Sequence, residues 1–157
     1  MDIKQEKNNS SNNTNRKIST KVFIFSFWPS FVWASIILVL SLFSGEKVNQ
    51  LSIFKIQYAD KIAHFGMYFI FSYLIMYGFK NFYLNDIVKH RIQAYIFALF
   101  ISILFGGLME ILQMYLNLAR SPEFNDFVAD SVGTLLALLL FEFLDKIYRR
   151  VIAFIIS

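Results

Sequence analysis

The chain alternates long apolar runs with short polar breaks. The runs cover Val22 to Phe43, about Asp60 to Phe79, about Ile92 to Leu116 and about Asp126 to Leu144. Each is close to the roughly 20 residues that an α-helix needs to cross about 30 Å of hydrocarbon. Lipid offers the backbone no hydrogen-bond partners, so apolar runs of this length are read as helices. The pattern predicts an all-α fold, a multi-pass membrane bundle of four transmembrane helices, in one domain over residues 21–144. Pro29 is expected within the first two turns of the first helix, where a missing donor costs least. Trp28 and Trp33 read as interface or lipid-facing aromatics. Residues 44–59 form a connection without a clean period, in which strand and helix cannot be separated.

Composition supports the membrane reading. The 157 residues are 57% hydrophobic and 18% aromatic, against about 45–50% apolar for a soluble domain. The first run has a basic start, as a signal peptide would, but it exceeds an h-region of about 7–15 residues and no small-x-small site follows it. The chain contains no cysteine, which excludes disulfides and thiolate chemistry. The net charge is +4. Its bases flank the apolar runs, so they are read as orienting the protein in a membrane and not as binding nucleic acid.

Four crossings put both termini on one side. That side carries Lys4, Lys7, Arg16, Lys17 and Lys21, then Lys80, Lys89 and Arg91, then Lys146, Arg149 and Arg150. The other side carries only Lys47, Lys55, Lys61 and Arg120. Lys and Arg accumulate in cytoplasmic loops, so both termini are expected inside, in the cell (inner) membrane. Residues 1–20, rich in Asn, Ser and Lys, then predict a disordered cytoplasmic tail. Residues 145–157 predict a basic C-terminal tail, or a simple continuation of the fourth helix, with Glu142/Lys146 and Asp145/Arg149 spaced for helix-surface pairs.

Orientation also gathers the polar groups. Asp60, Lys61, His64, Glu110, Gln113, Arg120, Asp126 and Asp130 are far apart in sequence, yet all are expected near the outer surface. Asp60/His64 and Asp126/Asp130 are spaced four apart, so each pair shares a helix face. Glu110 lies seven residues before Asn117, about 10 Å along a helix. Facing lipid there, an ionised acid would cost roughly 2.5–3.5 kcal/mol or more, so it should turn into the bundle. Gly106, Gly107 and Gly133 sit about one turn beneath the polar groups and are read as packing positions that let the third and fourth helices touch.

Each polar residue also has a plainer reading. Asp60 and Asp126 suit helix N-caps. Glu110 and Gln113 suit structural hydrogen bonds between helices. Arg120 suits a surface anchor over the third helix's last carbonyls. Tyr68 is read as packing, with a hydroxyl within reach of the cluster. His90 is read as a solvated loop residue.

Three motifs together resemble the VanZ-like family of membrane proteins. They are Asp60-Lys61-x-x-His64-Phe65-x-x-Tyr68, then Glu110-x-x-Gln113, then Arg120 followed by Asp126-x-x-x-Asp130-x-x-Gly133. The resemblance covers about residues 57–140 and is weaker over the first helix. It implies a small multi-pass protein of a bacterial cell envelope, linked through the family's namesake to resistance to the glycopeptide teicoplanin. The family usually carries Asn where this chain has Asp130, which adds a negative charge to the cluster.

Three functions are compatible with these residues. The first is an envelope factor whose outward polar site binds an envelope lipid, a peptidoglycan precursor or a partner. The second is a membrane enzyme using the carboxylate/His cluster on a lipid-linked substrate. The third, a carrier, is disfavoured because the polar groups gather near one face only. Gly-x-Ser-x-Gly, His-Glu-x-x-His and Walker motifs are absent from the sequence. With a single histidine in the cluster, neither a metal site nor a cofactor is predicted.

Overall fold

The computed structural model describes residues 20–47, 59–84, 91–116 and 124–156. They form four α-helices: α1 (Thr20–Lys47), α2 (Ala59–Leu84), α3 (Arg91–Leu116) and α4 (Phe124–Ile156). No strand occurs among the described residues. All four helices are long and apolar enough to cross a membrane. The expected N-terminal tail, the connection at 48–58, and Arg120 lie outside the described residues.

Cross-helix contacts set the directions. Phe27, early in α1, packs edge-on against Phe79, late in α2, so these two helices are antiparallel. Lys61 of α2 pairs with Asp126 of α4, and Lys80 with Asp145, and both pairs span the same 65 residues of sequence. Pairs that advance together mean that α2 and α4 run parallel. Arg91, at the start of α3, meets Glu142, late in α4, so α3 opposes both. The chain therefore runs up-down-up-down. α2 contacts all three other helices and packs most extensively on α4.

The Lys61–Asp126 and Lys80–Asp145 pairs are nineteen residues apart along each helix, about 28 Å at 1.5 Å per residue. That spacing matches the thickness of the hydrocarbon layer. The two pairs thus join α2 to α4 at both edges of the apolar zone. Between them lies the core: Tyr68, Phe71, Ile75 and Met76 from α2, Ala94 and Ala98 from α3, and Leu138 and Phe141 from α4, with Phe27 and Ile37 from α1. Large apolar side chains such as Phe97, Phe100, Leu104 and Leu139 point outward, as a lipid-facing surface requires.

Two glycines mark the tightest approaches. A Cβ on Gly133 would collide with the Phe65 backbone carbonyl oxygen and stand 3.1 Å from its carbon. Gly133 therefore brings α4 onto α2, whereas the sequence reading paired it with the third helix. A Cβ on Gly78 would stand 2.6 Å from two ring atoms of Phe27, so this position seats α1 on α2.

Two further details differ from expectation. α1 begins at Thr20, which puts Pro29 in its third turn and inside the helix. There the ring removes one internal hydrogen bond. Trp28 is exposed, but Trp33 is half-buried and donates its ring N–H to the Met67 carbonyl at 2.9 Å, so it fastens α1 to α2 and does not face lipid. At the other end, α4 continues as helix to Ile156. Asp145 is bonded to Arg149 at 3.0 Å, while Glu142 turns across to Arg91 and to the Tyr95 hydroxyl, 3.3 Å away.

Candidate functional site

The site forms at one end of the bundle, from the starts of α2 and α4 and the last third of α3. Asp60, Lys61, His64 and Tyr68 occupy successive turns at the start of α2. The i,i+4 step aims Asp60, His64 and Tyr68 down one face. Asp126 and Asp130 repeat that step on α4, and because α2 and α4 are parallel, the two acids stand at the depths of Lys61 and His64.

Lys61 lies at the mouth. Its Nζ stands 2.5 Å from Asp126 Oδ1 and 3.6 Å from Asp60 Oδ2. Its side chain keeps 23% exposure, Asp60 keeps 45%, and Asp126 keeps 1%. Asp126 is inside α4's first turn and buried against a lysine, which is a different role from capping.

His64, 4% exposed, stands one turn deeper. Its Nδ1 is 3.0 Å from Asp130 Oδ1, a hydrogen bond. With Asp130 ionised, Nδ1 carries the proton and donates. Its Nε2 faces Asp126 Oδ2 at 3.9 Å and Asp60 Oδ1 at 4.0 Å, near enough for electrostatic attraction and too far for a hydrogen bond. The imidazole is thus flanked by carboxylates on both nitrogens. Glu110 joins from α3: one ligand atom each from His64, Glu110 and Asp130 lie within 4.8 Å of one another. Asp60, His64 and Asp126 form a second such group, nearer the mouth.

The structure thus brings together Asp60, Lys61, His64, Glu110, Asp126 and Asp130. Gln113 is placed differently. It is buried, and its Nε2 donates to the Ser41 carbonyl of α1 at 3.1 Å, which ties α3 to α1. Gly106 lines the cluster beside Asp130 and Tyr68, whereas Gly107 meets only the edge of the Phe127 ring, at 3.9 Å.

Two polar features escaped the sequence reading. One is the Lys80–Asp145 pair at the opposite end, where Asp145 is 2% exposed. The other is a junction of hydroxyls beneath the site. Ser72 Oγ is 2.8 Å from the Tyr68 carbonyl, 2.9 Å from Ser102 Oγ and 3.0 Å from Thr134 Oγ1. A hydroxyl has one proton and two lone pairs. The carbonyl can only accept, so Ser72 donates to it and accepts from Ser102 and Thr134. Every bonding position of Ser72 is then used. The signal was in the spacing: Ser72 follows His64 and Tyr68 at four-residue steps, and Thr134 follows Asp130 in the same way.

Chemically, the cluster can hold a cation, share protons through the His64–Asp130 bond, or present paired charges to a polar group arriving from the aqueous side. No curated protein and no solved structure matches the chain. The VanZ/LLP1 family model matches residues 3–145. The match takes in all three motifs and most of the four helices, and this membrane protein belongs to the VanZ/LLP1 family.

Proposed function

We propose that this VanZ-family protein sits in the cell membrane with both termini in the cytoplasm, and that its polar cluster faces outward. There it engages the headgroup of an envelope lipid or of a lipid-linked peptidoglycan precursor, which connects the protein to glycopeptide (teicoplanin) resistance. The observation that carries this reading is the mouth of the site. Lys61 and Asp60 offer partly exposed charges of both signs directly above buried His64. A zwitterionic or phosphorylated headgroup at the membrane surface can exchange its own charges for these without entering the hydrocarbon.

Deleting the gene should lower the teicoplanin concentration that stops growth, and the intact gene should restore it. Asp60→Asn, which alters the mouth and leaves the buried pairs in place, should restore it only in part. Unchanged drug sensitivity together with unchanged precursor pools in the deletion strain would remove this reading.

The orientation has its own check. The chain has no native cysteine, so single cysteines at Ser52 and Asn85 report without background. The Ser52 variant should react with an impermeant maleimide added to intact cells, and the Asn85 variant only after lysis. The opposite pattern would place the cluster inside.

A second reading is a membrane enzyme acting on a lipid-linked envelope substrate. It is favoured by the His64–Asp130 bond, the geometry of a base held by an orienting carboxylate. Turnover of such a substrate that is lost in His64→Gln would select it.

A further inference from the structure

Two carboxylate groups surround His64. The outer one, Asp60, His64 and Asp126, contains the Lys61 ammonium, 2.5 Å from Asp126 and 3.6 Å from Asp60. The inner one, His64, Glu110 and Asp130, lies deeper and contains two acids with one imidazole.

Tyr68 supplies an independent observation. It is 1% exposed, and its hydroxyl has no hydrogen-bond partner among the described residues. Such a group is costly to keep in a native core. Its charged neighbours are Asp130 and Glu110. The missing Cβ of Gly106 places the edge of the Tyr68 ring beside Asp130. That position lies 3.4 Å from Asp130 Oδ2 and 3.6 Å from Tyr68 Cζ, the carbon that bears the hydroxyl. Tyr68 and Asp130 therefore border the same small space, and Gly106 leaves it open.

We propose that His64, Glu110 and Asp130, with the Tyr68 hydroxyl, form a binding site for one divalent cation of the zinc–manganese class. One imidazole nitrogen, two carboxylates and a phenol oxygen are a mixed N/O donor set that suits these ions. Ligand atoms around zinc stand about 2.0–2.2 Å from the metal. Atoms already within 4.8 Å of one another reach that geometry by turns of the side chains. Nδ1 would be the ligand, and Nε2–H would then face Asp126 and Asp60, the carboxylate support that metal-bound histidines usually have. The cation would offer a headgroup phosphate a positive anchor beneath Lys61. This deepens the proposed function, on which it rests for access from outside; the binding site itself does not depend on it.

The test uses the full chain in detergent micelles free of envelope lipid, stripped with a chelator. Free Mn2+ is followed by electron paramagnetic resonance, and bound Zn2+ by equilibrium dialysis with metal analysis. One ion per chain is expected. His64→Gln and Asp130→Asn should each weaken binding by at least about 100-fold, and Tyr68→Phe by about tenfold. Glu142→Gln, at the opposite end of the bundle, should change it by less than about threefold. Circular dichroism checks that each variant is helical; if the buried charge variants unfold, Tyr68→Phe, which removes a single oxygen, decides. Absence of stoichiometric binding by the wild type overturns the proposal, and so does an unchanged affinity in Tyr68→Phe and Asp130→Asn. Metal binding without a drug phenotype would remove the proposed function and keep this site. A phenotype without metal binding would do the reverse.

Discussion

Replacing Lys61 with Met is expected to destabilise the helical domain by about 3 kcal/mol, toward the lower end of the roughly 3–5 kcal/mol typical of a broken buried pair. The cost comes from the partner left behind. Asp126 is 1% exposed, and losing the ammonium 2.5 Å away leaves its charge buried, with the His64 Nε2 more distant at 3.9 Å. The partial exposure of Lys61 and the nearness of water at the mouth keep the value from the upper end. The double replacement Lys61→Met with Asp126→Leu should recover most of the loss, because an apolar pair of similar volume carries no desolvation cost. Denaturant unfolding of the four proteins of this cycle in micelles measures it. A double variant as unstable as Lys61→Met alone would mean that the residues do not act as a pair.

Gly133→Ala is expected to cost about 1–3 kcal/mol and to give a poor yield of folded protein. Its added methyl would run into the main chain of Phe65, not into the end of a side chain that can turn away. α2 and α4 would have to separate. The same movement would lengthen the His64–Asp130 and Lys61–Asp126 contacts, one and two turns before Gly133 along the same α2–α4 seam. Gly66→Ala, two residues after His64 on the same helix, is the control. Nothing lies within 4 Å of its Cβ position, so it should keep full stability and gain slightly from better helix propensity. Thermal unfolding of both variants separates the two cases. Equal midpoints would refute the close-packing account of Gly133.

Much of the site was legible before any coordinates. A helix rises about 1.5 Å per residue, so counting inward from the ends of the apolar runs assigned Asp60, His64, Glu110, Asp126 and Asp130 to one depth. The cost of exposing an acid to lipid turned Glu110 inward. The i,i+4 rule placed Asp60 with His64 and Asp126 with Asp130. Partner choice was not legible. Lys61 has its sequence neighbour Asp60 at 3.6 Å but approaches Asp126 to 2.5 Å. Gln113 shares a face with Glu110 yet bonds to the main chain of α1. Lys80 and Asp145 each had a simpler role as ends of apolar runs.

The reason lies in the solvent. In water, the apolar stripe of a helix announces which face is buried. In lipid, the outward face is as apolar as the core, so that stripe is lost and neighbouring helices are chosen by close packing and polar contacts. The sequence by itself therefore determined what depends on length and depth: four spans, and the end of the bundle at which Asp60, His64, Glu110, Asp126 and Asp130 gather. Tertiary structure alone decided the lateral arrangement. It set α2 parallel to α4 with Gly133 against Phe65, joined them by lysine–aspartate pairs about 28 Å apart, and placed His64 between two groups of carboxylates contributed by three helices.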